Sequence, residues 1–492
     1  MRFLISLLCL FVVAGGTPVL GLGWQATGSE KEILLTKGVG GLTLLHNRAG
    51  KIHRSVRAEI SKSALVTTLD SEALSGNAEA VFGLALANEM GRGVPRNVGA
   101  AIKLYEEAGR LGLAAAYNNL GEIYRQGKHG AVDLVRAREL YQKAADWGDA
   151  WAQNNLGLLY LHGIGVGHDP KLAFYWVKGA AMAGLLQGVE NLAGLYRDGV
   201  GVDADAGRAR VLYKKAIALG SFDAHVSLGE LMENGEGGKE DLAGAITHYR
   251  IAAQAGSALG QHYLGTLYED GVGVGQDYGQ ARAFYKKAAN KGLARSQFAL
   301  GRLSLLGRGA EPDIDKALRL YKAAAKQGNA QALNDLGVLY ENGRGVQQSY
   351  ELALEFYMAS SARFPFALTN AGLLYLNGHG VSQDVARAKA LFQEASDRGE
   401  PVGDVLLGKV FLQGFNEEPN ASEAARLFFL AASKGVPEAF YLLGYCHETG
   451  RCLERNLLKS RDFYKIAADQ GYREANRALR QLEWRLRTQS TN

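Results

Sequence analysis

One glycine returns at a fixed interval along this chain. From Gly91 it recurs every 36 residues, at Gly127, Gly163, Gly199, Gly235, Gly271, Gly307 and Gly343; one step of 35 gives Gly378, and Gly414 and Gly450 follow. A unit of that size cannot bury an apolar face alone, so the period predicts an array of stacked units rather than independent domains. A left-handed turn that ends a helix needs glycine each time, because only glycine takes positive φ without steric cost.

The neighbouring columns give the unit its content. Six residues before the phase-marking glycine stands a small residue, among them Gly121, Gly157, Ala193, Gly229, Gly265, Gly301, Gly337, Gly372, Gly408 and Gly444. Five residues earlier is another, such as Ala116, Ala152, Gly188, Gly260, Ser296, Ala332 and Gly403. A Leu lies between them in all copies but one, where Ala371 stands, and an aromatic residue usually follows, as at Tyr124, Tyr268 and Tyr340. The spacing of Gly260, Leu264, Leu267 and Tyr268 is one face of a first helix. Ala281, Tyr285, Ala288 and Ala289 are the same kind of face on a second. Its aromatic column reads Tyr105, Tyr141, Tyr213, Tyr249, Tyr285, Tyr321, Tyr357, Phe392, Phe428 and Tyr464, with Val177 the departure.

The segment GVGVGQDYG, residues 271–279, raises the question of a nucleotide site, since a Gly-rich loop entering a helix can hold phosphate. Its column answers it. Asp277 has equivalents at Asn97, Asp133, Asp169, Asp205, Asp241, Asp313, Ser349, Asp384, Asn420 and Asn456. All are good N-cap residues, worth about 1 kcal/mol each. A carboxylate there occupies the place of a phosphate and repels it, and no GK[ST] sequence occurs.

These columns, in ALNDLGVLYENGRGV and QHYLGTLYEDGVGVGQDYGQARAFYKKAANKG, resemble the Sel-1-like repeat family, a subclass of tetratricopeptide-like helix–turn–helix proteins. The resemblance covers residues 76 to 472. It implies an all-α fold, a right-handed α-solenoid of about eleven repeats, with residues 473–492 as capping helix and tail. It also implies a non-enzymatic scaffold that binds other proteins along a concave face of first helices. Members of this kind include a lumenal adaptor of ER-associated degradation, and exported bacterial repeat proteins.

The concave-face residues that vary between copies are Asn118, Asn154, Glu190, His262 and Asn334 at one position, and Glu122, Glu230, Arg302 and Lys409 at another. Variation over a constant frame suits protein recognition. In the stretch 357–368 the closing glycine is missing and the period is 35, so a change of curvature is expected there. Copies ten and eleven lose the second loop glycine, having Asn416 and Cys452 there.

The N-terminus places Arg2 before the apolar run Phe3 to Ala14, followed by small residues. This is the shape of a signal peptide over residues 1–16, the rival being an uncleaved anchor. It predicts a secretory-pathway, ER-lumenal or secreted protein, periplasmic or extracellular if bacterial. Membrane association is expected only through an uncleaved N-terminus or a membrane partner. Residues 17–75 show no repeat and are expected to be partly disordered; an enzyme site there is the rival reading, but about sixty residues hold too small a core for most enzymes.

Apart from Cys9 in the apolar run, only Cys446 and Cys452 occur; they either pair or stay as two thiols. Asn420 begins the sequon Asn-Ala-Ser, yet it stands in the N-cap column, where its side chain turns into the helix terminus. His162, His225, His248, His262 and His379 share no column, so no metal set is expected. No cofactor or catalytic motif is expected either. A net charge of +5 on 492 residues argues against nucleic acid as a partner.

Overall fold

The computed structural model of the chain describes residues 35–38, 41–44, 73–415 and 418–489. The expected signal peptide, and most of the unrepeated segment, lie outside these residues, as does Asn416. Within that segment two antiparallel strands appear, β1 (Leu35–Gly38) and β2 (Gly41–Leu44), with Leu35 opposite Leu44 and Gly38 opposite Gly41. They are an addition to the all-α expectation. From Ala78 onward twenty-three helices follow: eleven pairs, and a last helix Arg473–Gln489. The chain divides into two compact units, residues 1–264 and 265–492, the boundary falling within the helix Ala258–Asp270. Each unit is an α-solenoid segment of helical hairpins, numbered here as repeats 1 to 11.

Repeat 8 shows how sequence sets the hairpin. Its first helix, Ala330–Glu341, begins at Asn329, whose side chain accepts the Ala332 N–H at 2.8 Å. It ends because Gly343 turns left-handed at φ 62°, letting Arg344 N–H reach back to the Leu339 carbonyl at 2.9 Å. The second helix, Tyr350–Ser361, is capped by Ser349, whose hydroxyl accepts the Leu352 N–H and whose own N–H returns to the Tyr340 carbonyl. Across the repeats, all eleven residues of the cap column accept a first-turn N–H with their side chains. Asp277 does so for Gln280 N–H at 2.9 Å, so GVGVGQDYG is helix punctuation.

The two small columns have different duties. The one nearer the loop seats the second-helix ring of its own repeat: a Cβ on Gly121 would come within 2.8 Å of the Tyr141 ring, and on Gly444 within 2.6 Å of Tyr464. The earlier column lies against the preceding repeat. A Cβ on Gly188 would meet Ala180 at 2.8 Å, and on Gly403 the Phe392 carbonyl at 2.6 Å. One column therefore closes each hairpin and the other stacks hairpins. Buried Ala, Leu and Tyr fill the space between.

The turn after repeat 8 is a residue shorter and differently built. Ala362 ends the helix at φ −56°, Pro365 precedes Phe366–Asn377 at φ −57°, and no residue from 362 to 365 is left-handed. Pro365 supplies the fixed φ that starts a helix, so the closing glycine is dispensable.

Candidate protein-binding surface

The second-helix tyrosines are buried to the hydroxyl, and a buried hydroxyl needs a partner. In five repeats the partner is a Glu two residues before the loop glycine. Tyr105 donates to Glu89 at 2.7 Å, Tyr249 to Glu233 at 2.8 Å, Tyr285 to Glu269 at 3.0 Å, Tyr357 to Glu341 at 2.5 Å and Tyr464 to Glu448 at 2.7 Å. Burial first, and the carboxylate second, hold the Tyr105 and Tyr249 phenols far above their ordinary range, so they remain donors. Tyr141 instead donates to Glu122; burial pushes that carboxyl up, but Arg125 and Tyr141 together bring it below its usual value. Tyr213 lies beside Arg197 and Ser227. Tyr321 lies beside the Asp335 carboxylate of the next repeat, and burial first, then that carboxylate, raises its phenol.

Neighbouring first helices are joined by amide rungs. Asn155 donates to Asn118 at 3.0 Å, Asn191 to Asn154 at 2.8 Å and Asn370 to Asn334 at 2.9 Å. Asn118, Asn154 and Asn334 are only 7%, 4% and 5% exposed. They are therefore rungs between repeats rather than contact residues, a correction to the expected recognition column. Glu190 accepts from Ser221 and is pushed up by burial. The second expected position is also engaged: Glu122 pairs with Arg125, Glu230 accepts from Tyr263, Arg302 reaches the buried Glu269 at 2.6 Å, and Lys409 meets Glu438. His262 stacks edge-on against Tyr263.

What varies and stays exposed is the column just before the loop glycine. Gln126, His162, Asp198, Asn234, Asp270, Leu306, Asn342, Asn377, Gln413 and Thr449 are all exposed. This column lies four residues after the one holding Arg302 and Val338, hence on the same helix face. Its signal was present in the sequence, where Gln126, His162, Asp198, Leu306 and Thr449 show its change of chemistry; the column before it, with Arg125, Leu161 and Glu269, varies too.

Cys446 and Cys452 stand at bonding distance with Cα atoms 5.1 Å apart, across the loop glycine Gly450. Asn420 caps its helix, its Oδ1 accepting from Glu423 N–H and the Ser422 hydroxyl. Two histidines without a shared column do meet: His225 Nδ1 and His248 Nδ1 are 2.7 Å apart across the hairpin of repeat 5. Among the described residues no three His, Cys, Asp or Glu form a group that could hold a metal. Two shallow hollows lie at loops, around Val381–Ala386 and around Ala131–Val135, and the capping Asp384 and Asp133 line them.

The comparisons with known proteins agree with this construction. The Sel1 repeat profile matches eleven times, at residues 78–113, 114–149, 152–185, 189–221, 223–257, 258–293, 294–329, 330–358, 365–400, 403–436 and 437–472. A solved protective antigen of uropathogenic Escherichia coli strains, displaying an SLR fold, is 29% identical, with 85% of this chain and 90% of that one covered and a TM-score of 0.54. A Sel1 repeat protein from Oxalobacter formigenes is 35% identical over 51% of this chain and 100% of that one, with a TM-score of 0.44. The search of curated proteins gave no match. Sel1 repeat proteins are in general scaffolds for protein interaction, typically without enzymatic activity. With its glycine, cap and ring columns all in that register, this chain belongs to the Sel1 repeat family.

Proposed function

We propose that this protein is a non-enzymatic adaptor working outside the cytosol, holding partner proteins along its row of first helices. The observation that carries the reading is the exposed column before the loop glycine, which changes chemistry from copy to copy on an otherwise constant frame. The signal-like N-terminus supports the compartment. So does the closeness of Cys446 and Cys452, whose pairing we propose, since such bonds persist where thiols are not kept reduced.

Two exported compartments suit this. One is the secretory pathway, as an adaptor in ER-associated degradation. The other is the bacterial envelope or exterior, in envelope regulation or host contact, and the likeness to the E. coli antigen over 85% of the chain favours it. A glycan on Asn420, read by peptide mass, would assign the chain to the first.

The scaffold reading is tested with a photo-crosslinking residue placed at Val338 or Asn377 on the first-helix face, or at Leu352 on a second helix. A discrete protein adduct from the first two positions and not the third is expected. Equal adduct patterns from all three would remove the first-helix face from the proposal.

A further inference from the structure

The outer face of repeats 3 and 4 is unlike the rest of the chain. Tyr175, Met182, Val211 and Phe222 are 63%, 76%, 67% and 53% exposed. Tyr175 and Val211 occupy the same column of adjacent second helices, Pro170–Met182 and Ala206–Ala218. In the other nine repeats this column holds Lys103, Glu139, Thr247, Ala283, Arg319, Glu355, Ala390, Arg426 and Asp462, with no large apolar residue among them. Met182 lies two turns beyond Tyr175 on the same face. Phe222 sits in the turn after the second of these helices. Its exposure is not required by the turn, because the Ser221 hydroxyl accepts the Ala224 N–H there at 2.9 Å.

The charge on these two helices is one-sided. They contain Lys171, Lys178, Arg208, Arg210, Lys214 and Lys215, and no Asp or Glu. The capping carboxylates Asp169 and Asp205 stand at their N-terminal ends, Asp205 pairing with Arg208 at 3.2 Å, and Asp223 follows Phe222. Lys178 lies between Tyr175 and Met182, and Lys214 and Lys215 lie between Val211 and Phe222.

This interleaving chooses between partners. The core of a protein interface is depleted of charged residues, so a protein covering these apolar side chains would have to bury lysines with them. At an anionic bilayer the two kinds separate by depth: apolar tips enter the headgroup boundary while ammonium groups stay with the phosphates. We propose that the outer face of repeats 3 and 4 docks on an anionic lipid surface, with Tyr175, Met182, Val211 and Phe222 inserted and Lys171, Lys178, Lys214 and Lys215 on the phosphates. No helix among the described residues is long and apolar enough to cross a membrane, so this contact is peripheral. It leaves the first-helix face open to protein partners.

Sedimentation of the full chain with phosphatidylglycerol/phosphatidylcholine vesicles tests this, against vesicles of phosphatidylcholine alone. Binding is expected only to the anionic vesicles, weakening as salt rises. Replacing Tyr175, Met182, Val211 and Phe222 together by Ser should lower it about tenfold or more, with helical content unchanged because all four are exposed. Lys178→Glu and Lys215→Glu should each lower it roughly fivefold. Lys326→Glu and Lys465→Glu, both exposed on the other unit, should leave it as it was. Failure of the wild-type chain to bind at low salt, or equal loss from the Lys326 and Lys465 variants, overturns the proposal. Binding to polyglutamate with the same variant dependence, without vesicle binding, would assign the face to an acidic protein instead and overturn the lipid reading.

Discussion

Repeats 8 and 9 are neighbours that fold the same hairpin with different interiors. In repeat 8 the ring on Gly337 is Tyr357, and its hydroxyl is tied to Glu341. In repeat 9 the ring on Gly372 is Phe392, and the residue at the place of Glu341 is Leu376. Repeat 10 repeats the exchange with Phe428 and Leu412, and repeat 3 with Val177 and Leu161. In these three repeats hydroxyl and carboxylate are both absent, whereas repeats 2, 4 and 7 keep the Tyr with Arg125, Arg197 and Leu305 at the Glu place. Either half alone leaves a buried polar group unpaired, whereas two apolar groups of similar shape can be nearly neutral. The difference also reaches the surface. The carboxylate column is on the first helices, so repeats 9 and 10 present partly exposed Leu376 and Leu412 where repeat 8 presents an anion.

The glycine under the ring is common to both joints, and disturbing it should have the largest effect. Gly337→Ala and Gly372→Ala each put a Cβ into the ring above. Each should cost up to about 3 kcal/mol, as overpacking does. Urea unfolding, followed with hydrogen exchange in the affected helices, measures it. Equal losses would place the difference between the repeats in the hydroxyl alone. A much smaller loss at Gly372 would mean that the apolar joint yields where the tied one does not.

The tie itself is next in size. Tyr357→Phe or Glu341→Leu alone should cost about 2 kcal/mol, and both together close to nothing relative to wild type. The reverse series in repeat 9 should mirror it: Phe392→Tyr alone destabilises, and adding Leu376→Glu recovers most of the loss. Additive losses in repeat 8 would break the comparison, because they would mean the two residues do not act as a pair.

Much of this architecture was legible from the columns. Gly271, Asp277, Gly337 and Tyr285 each announced their duty, because backbone conformation and ring volume admit few residue types. That Val177, Phe392 and Phe428 coincide with Leu161, Leu376 and Leu412 was equally readable in the sequence, and it needed two columns compared rather than one. The recognition face was harder. Asn118 and Asn334 stand in a column that varies between copies, and they look solvent-facing on a single helix. Only the next repeat, whose Asn155 or Asn370 closes over them, makes them rungs. The contact of His225 with His248 crosses two helices of one hairpin and leaves no mark on any column.

That histidine contact sets the smallest of these effects and extends the comparison to repeat 5, where Tyr249 and Glu233 also form a polar joint. With Nδ1 atoms 2.7 Å apart, one ring donates and the other accepts, so the acceptor is neutral. Burial first, then His248, holds His225 below its ordinary value; burial, then Lys214, does the same for His248, with Asp241 opposing. The unfolded chain therefore takes up protons first as pH falls. Stability should be constant above about pH 7 and decline from roughly pH 6.5 downward, until the folded rings titrate as well. Because His248 is only part-buried, solvent screening keeps the loss below about 1 kcal/mol. His248→Gln should flatten the decline between pH 7 and pH 5 in thermal melts, and Glu341→Leu should not. If the decline persists in His248→Gln, acid sensitivity belongs to the carboxylate-tied joints instead, and the polar repeats would differ from repeats 9 and 10 in their response to pH as well as in packing.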